Sequence, residues 1–232
     1  MANEKGITII GVAIFFLLLV FFPKFIVQHY LLISILFIIA ILLPTIIRFS
    51  RKSMTSREMV MLAVLAAIAG VSRVPFAALP SVQPTTFVII ASAIALGPQS
   101  GLVIGASAAL ISNMVLGQGP WTPWQMVCWG MAGFIAGLLA NTFFMKHMAW
   151  RLIYGFIVGF IFGWVMNMWI FFSGLGDLTL ETFVLLNTQS FFFDLAHALS
   201  NVFFLFLFST IWIKTLNRFK EKYGVFQEDG GE

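Results

Sequence analysis

The sequence predicts an all-α integral membrane protein, and three observations predict it. Of 232 residues, 60% are hydrophobic and 9% charged, with a mean hydropathy of +1.00, whereas a soluble domain carries about 25% charged residues. Apolar runs of about 15 to 25 residues recur along the chain, long enough to cross a hydrocarbon core of roughly 30 Å as helices. The alternating apolar and polar decads of an outer-membrane barrel are missing.

The elements follow in order. Residues 6–22 form the first apolar run, which stops at Pro23 and Lys24, and 25–47 form the second. Both are dense in Phe, Leu and Ile, and read as a lipid-facing hairpin over 1–47. A basic linker, 48–57, precedes a six-helix core over 58–216, with helices expected at 58–72, 85–96, 101–116, 124–144, 152–172 and 182–214. A charged tail, 217–232, ends the chain. With eight alternating spans, Lys5, Arg48, Arg51, Lys52, Arg57, Lys146, Arg151, Lys214, Arg218, Lys220 and Lys222 fall on one side, 11 of the 13 basic residues. The positive-inside rule makes that side the cytoplasm, with both termini there. Only Lys24 and Arg73 fall elsewhere. The loop holding Asp177 and Glu181 is then extracellular.

Composition also excludes functions. No room exists for a soluble catalytic domain, so an energy source must be a partner or an ion gradient. Cys128 is the single cysteine, which rules out an internal disulfide and a cysteine metal cluster. The N-terminal apolar run reaches Phe22 without a small-residue cleavage site, against a signal peptide. Basic residues flank membrane spans, which gives no footprint for nucleic acid. The chain lacks a P-loop, a G-x-S-x-G elbow and an H-E-x-x-H helix, and His29, His147 and His197 are scattered. An enzyme is not expected. No internal repeat is evident, which counts against inverted-repeat transporters.

Two loops are out of place as connectors: RVPFAALPSVQPTT from Arg73, and GQGPWTPWQ ending at Gln125. Irregular backbone beside a bilayer survives where it is buried in protein or lines a cavity. By the charge count both loops are extracellular, and they are expected to wall a binding site. In the first, Pro75, Phe76, Leu79 and Pro80 supply a stiff apolar wall, and Gln83 and Thr85 hydrogen-bonding groups. In the second, Pro120, Trp121, Pro123 and Trp124 do the same, flanked by Gln118 and Gln125. Interfacial Trp also serves as a plain membrane belt. Arg73 has two readings: snorkelling to headgroups, or holding an anionic part of a ligand through its planar fork.

Small residues four apart permit close helix approach in lipid. Ala63 and Ala67, with Gly70 a turn further, present such a face, either to a partner protein or within the bundle. Ala91/Ala95, Gly101/Gly105/Ala109 and Gly133/Gly137 read as core packing. Among the polar residues within spans, Asn113 and Asn167 lie toward the outer ends and are expected to floor the same cavity. Asp194, His197 and Asn201, at i, i+3 and i+7, share one face of the last helix. They face the bundle interior, either as functional groups or as hydrogen bonds tying helices together.

From Ser56 onward, roughly three quarters of the chain, the sequence resembles the S components of energy-coupling factor (ECF) vitamin transporters. The resemblance rests on six core helices, on Ala63-x-x-x-Ala67 matching the family's AxxxA motif, on the long outer loops and on the Asp194/His197/Asn201 face. RVPFAALPSVQPTT and GQGPWTPWQM are most similar to cobalamin-type S components; the N-terminal hairpin departs from the usual six helices. The resemblance implies a multi-pass subunit of a prokaryotic cell membrane that captures a vitamin, cobalamin by the loops, with pantothenate and riboflavin as near alternatives. It further implies docking through Ala63 and Ala67 on a coupling protein with two ATPases. ATP is then used by partners, and this chain holds no catalytic cofactor. Ligand contacts would come from Arg73, the loop residues above, Asn113, Asn167 and the polar face of the last helix. Two readings of other classes stand beside it: a proton-coupled secondary transporter relaying through Asp194 and His197, and a small intramembrane enzyme with those residues as acid and base.

Overall fold

The computed structural model describes residues 2–50, 54–172 and 179–226. Among them the helices are α1 (Ala2–Phe21), α2 (Pro23–Ser50), α3 (Ser56–Val71), α4 (Thr85–Leu96), α5 (Pro98–Leu116), α6 (Thr122–Leu138), α7 (Phe143–Lys146), α8 (Met148–Phe172) and α9 (Leu180–Tyr223), with a 3₁₀ turn at Val74–Phe76. The protein is an all-α integral membrane protein. Helices α2, α5, α8 and α9, and α3 continued through the 3₁₀ turn to Phe76, are long and apolar enough to cross a membrane; the apolar part of α1, Thr8–Phe21, and α4 are shorter. The eight expected spans correspond to α1–α6, α8 and α9.

Local sequence sets the helix ends. Thr55 and Glu58 form a reciprocal capping box that starts α3. A single residue, Gly97 at φ +91, reverses the chain between α4 and α5, and Pro98 then opens α5. Gly224 in the left-handed region closes α9.

Glycine sets the packing. A Cβ on Gly101 would lie 2.5 Å from the carbonyl oxygen of Gly133, and one on Gly105 2.2 Å from that of Trp129, so the α5 and α6 backbones touch where a side chain would not fit. On α8, Gly159 meets the α9 backbone, where a Cβ would fall 2.5 Å from Ala198 Cα, while Gly155 and Gly163 make room for the Leu205 and Asp194 side chains. This second stripe was readable at four-residue spacing, and the sequence reading passed over it. Helix α4 is almost wholly buried and packs against α3, α5, α6 and α9. The hairpin leans on α5, α6 and α8, with Phe16 edge-on to Trp124 at 5.8 Å.

Contacts between distant segments sort the bundle's two ends. Thr8 with Gln99, Lys220 with the Ala95 carbonyl, and Glu58 with the Phe226 backbone N–H bring both terminal regions to one end. The two signature loops meet at the other. Expected boundaries shift in three places. Helix α6 stops at Leu138 rather than 144, where Thr142 donates to the Leu139 carbonyl at 2.6 Å. Helix α8 begins at Met148. Helix α9 runs to Tyr223, so the first part of the expected tail is helix, and Val225 beyond it is buried. Asp177 and part of the basic linker lie outside the described residues.

Candidate functional site

Arg73 anchors the loop end. It follows the last turn of α3 and turns inward: its Nε donates to Gln83 Oε1 at 2.7 Å, and its Nη1 to Ser112 Oγ at 2.8 Å and Asn113 Oδ1 at 3.2 Å. Its guanidinium sits 5.0 Å from the Trp129 ring centroid, a cation–π distance. Headgroup snorkelling is therefore not the geometry; the cation is held by three side chains of the bundle.

The network continues into the second loop. Asn113, 2% exposed, donates from Nδ2 to Thr122 Oγ1 at 3.0 Å and Gln125 Oε1 at 2.6 Å. Thr122 donates to Gln118 Oε1 at 2.9 Å, and Gln118 Nε2 to the Leu110 carbonyl at 3.0 Å. Arg73, Gln83, Asn113, Gln118 and Gln125 are thus one connected set. Ser112, Thr122 and Trp129 belong to it too, and sequence reasoning missed all three. Ser and Thr in helices carry no distinctive spacing, and Trp129 reads as core. Its indole N–H is buried without a hydrogen-bond partner, an uncommon state for a buried donor.

Other expected residues fall around this set. Phe76 packs edge-on to Phe204 of α9 at 5.5 Å, while Pro75 and Leu79 are exposed. The Gln83 backbone is clamped to α9, its N–H donating to Ser200 Oγ at 2.9 Å and its carbonyl accepting from the same hydroxyl at 3.2 Å. Trp121 is half-buried against Trp169, ring centroids 5.8 Å apart. Two residues depart from expectation. Thr85 is fully buried and donates to the Ala69 carbonyl at 2.9 Å, a tie between α3 and α4. Trp124 is buried between Phe16 and Phe172, where it anchors the hairpin instead of lining the loop end.

The polar face of α9 packs against α4 and α8, with a hydrogen bond within α9 at Asp194 and hydrogen bonds between helices at His197 and Asn201. Asp194 accepts from Ser190 Oγ at 2.9 Å and lies against the Gly163 backbone. His197 Nε2 pairs with Thr86 Oγ1 at 3.1 Å, its ring edge-on to Phe162. Asn201 donates to the Gly155 carbonyl at 3.0 Å while its Oδ1 stays unpaired. Asn167 hydrogen-bonds to Asn187 and Ser190 between α8 and α9, with partners different from those of Asn113. Phe162 links the two regions: it stacks on Trp129 at 5.0 Å and meets His197 at 4.8 Å.

On α3, Ala63 and Ala67 are exposed, with Val60, Val64, Ile68 and Val71 on the same stripe. Gly70 departs from the docking expectation. It is buried, and a Cβ there would lie 2.9 Å from Ile111 Cγ2 of α5.

A polytopic helical bundle, with polar loop residues gathered at one end and an uncovered small-residue stripe on one helix, defines a multi-pass α-helical membrane protein. Residues 53–216 match the family described as the ECF-type riboflavin transporter S component, and the chain belongs to that family. It is the substrate-binding membrane subunit of an ECF-type transporter, a family of transport components rather than of enzymes. Comparison with curated proteins and with solved structures gave no match.

Proposed function

We propose that the chain captures a vitamin at its loop end and passes it to an ATP-driven coupling module that docks on the α3 stripe. One observation carries the capture reading. A half-buried cation and four side-chain amides, the amides contributed by the first loop, α5, the second loop and α6, converge beside an aromatic stack whose indole N–H lacks a partner. Sites for small molecules combine apolar walls with a few convergent polar groups. A ligand entering there exchanges its own donors and acceptors for those the side chains now give each other.

For the ligand, the family's name and the flat Trp129/Phe162 stack favour riboflavin over the cobalamin suggested by the loop sequences. A fused planar ring offers both faces to aromatic side chains and a donor–acceptor edge to Arg73, Gln83 and Asn113. Titration of purified protein against riboflavin, cobalamin and pantothenate tests this. Riboflavin should bind with its fluorescence quenched, and Arg73→Ala should weaken it at least about tenfold, since hydrogen bonds to a charged group contribute roughly 1.5–3 kcal/mol each. Tight binding of cobalamin alone would overturn the ligand. Uptake driven by a proton gradient without ATPases would overturn the family mechanism in favour of an Asp194/His197 relay.

A further inference from the structure

The far end of α9 holds the docking helix. Gly224, in the left-handed region at φ +59, ends α9, and the Gly224 and Val225 N–H groups both donate to the Lys220 carbonyl. The chain therefore turns back on itself. Val225, 1% exposed, enters the core, and Met54, just before α3, is buried in the same core. The Phe226 backbone N–H then donates to Glu58 Oε1. The other oxygen, Oε2, accepts from the Thr55 N–H and, at 3.1 Å, from the Thr55 hydroxyl. One buried carboxylate thus both starts α3 and ties down the tail. Arg57 lies 5.7 Å from the Tyr223 ring centroid, and Lys220 donates at 2.9 Å to the Ala95 carbonyl in the last turn of α4.

Phe226 itself sits at φ +51. A residue with a β-carbon is disfavoured there, and keeps that conformation where surrounding contacts hold it. The placement on α3 is equally specific. Glu58 shares a face with Leu62, Leu65 and Ala69, all buried. Ala63 and Ala67 are exposed on the opposite face. The tail therefore grips α3 from behind the small-residue stripe and leaves the stripe uncovered.

We propose that residues 224–226 are a clasp that fixes the first turns of α3, so that the helix presents its stripe to the coupling protein in one orientation. The inference rests on the docking reading of that stripe. A partner that must first order the helix it packs on binds more weakly, because the ordering subtracts from the binding free energy. Glu58 and the Phe226 N–H are thus positioning groups for docking. They lie at the opposite end of the bundle from the Arg73 network, so their loss spares vitamin capture.

Two substitutions at one position test this in the full chain. Phe226→Pro removes the N–H and cannot take φ +51, whereas Phe226→Gly keeps the N–H and takes that conformation freely. In purified protein, hydrogen exchange of the backbone amides at 59–62 should be at least about tenfold faster in Phe226→Pro than in wild type, the least that a hydrogen bond to a charged group contributes. Phe226→Gly should stay within about twofold of wild type. Wild-type exchange in the proline variant overturns the clasp, and equally fast exchange in both variants overturns the Glu58 hydrogen bond as its basis. Coexpression with the coupling protein and ATPases gives the second readout. Retention of the coupling protein by tagged Phe226→Pro should fall at least about fivefold, with vitamin affinity within about twofold of wild type. Fast exchange with wild-type retention overturns the positioning role. The docking reading has its own control: if Ala63→Trp with Ala67→Trp retains the partner as wild type does, the stripe is not the docking face, while fast exchange in Phe226→Pro still supports the clasp.

Discussion

Small residues four apart occur on α3 and again on α5, α6 and α8, and the two settings are opposite. On α5 and α6, Gly101 and Gly133 face each other so closely that neither admits a Cβ, and Gly105 lies as close to the Trp129 backbone. On α8, Gly159 lies against the Ala198 backbone of α9, and Gly155 and Gly163 receive its Leu205 and Asp194 side chains. On α3, Ala63 and Ala67 look outward, with Val60 61% and Val64 50% exposed beside them. Spacing licenses a close helix approach and does not say which helix approaches. Glycine facing glycine closes a contact inside the chain. Alanine flanked by exposed valines leaves one open, and in lipid an open stripe of this kind suits a partner's helix.

The largest effect is expected where the internal contact is tightest. Gly105→Leu must displace the α6 backbone, because even the first carbon of the side chain would overlap the Trp129 carbonyl. Overpacking of flexible neighbours costs about 1–3 kcal/mol, and a clash with backbone exceeds that. The variant should give little monodisperse protein by size-exclusion chromatography, and no vitamin binding. Normal yield and binding would mean that α5 and α6 are not in contact there.

Next comes the open stripe. Ala63→Trp with Ala67→Trp places two large rings on an exposed face of α3. Folding and vitamin affinity should stay within about twofold of wild type, a change below roughly 0.4 kcal/mol. Uptake in cells holding the coupling module should fall more than about tenfold, since the rings keep two helix backbones from meeting. Uptake at the wild-type rate would separate this stripe from docking.

How much of this was legible follows from the range of the forces involved. The all-helical membrane fold and the shared end of the two loops could be read because hydropathy and charge act over whole segments. The connected set around Asn113 could be read in part, since amides and an arginine beside membrane loops are few. What escaped depends on single long-range contacts. Arg73 turns inward because Ser112 and Asn113 lie within reach, 39 and 40 positions on. Trp124 serves the hairpin through Phe16, and Thr85 serves α3 through the Ala69 carbonyl. Neither residue differs in type from the neighbours that join the loop-end network, so local sequence had nothing with which to separate them.

Gly70 sharpens the comparison at its boundary, with the smallest expected effect. It lies one turn past Ala67 and continues the small-residue pattern in sequence, yet its face is the buried one. A Cβ would stand 2.9 Å from Ile111 Cγ2 and 3.1 Å from the Ala108 carbonyl. Gly70→Ala gains about 1 kcal/mol of helix propensity and loses about 1–3 kcal/mol to overpacking. The net should be a loss of up to about 2 kcal/mol, read as a thermal midpoint a few degrees lower in detergent. Uptake per folded molecule should not change. If Gly70 instead belonged to the docking stripe, the order would reverse: stability would rise by the propensity gain and uptake would fall, because the added methyl would meet the partner rather than Ile111. One substitution with two readouts therefore marks where the internal contact ends and the external one begins.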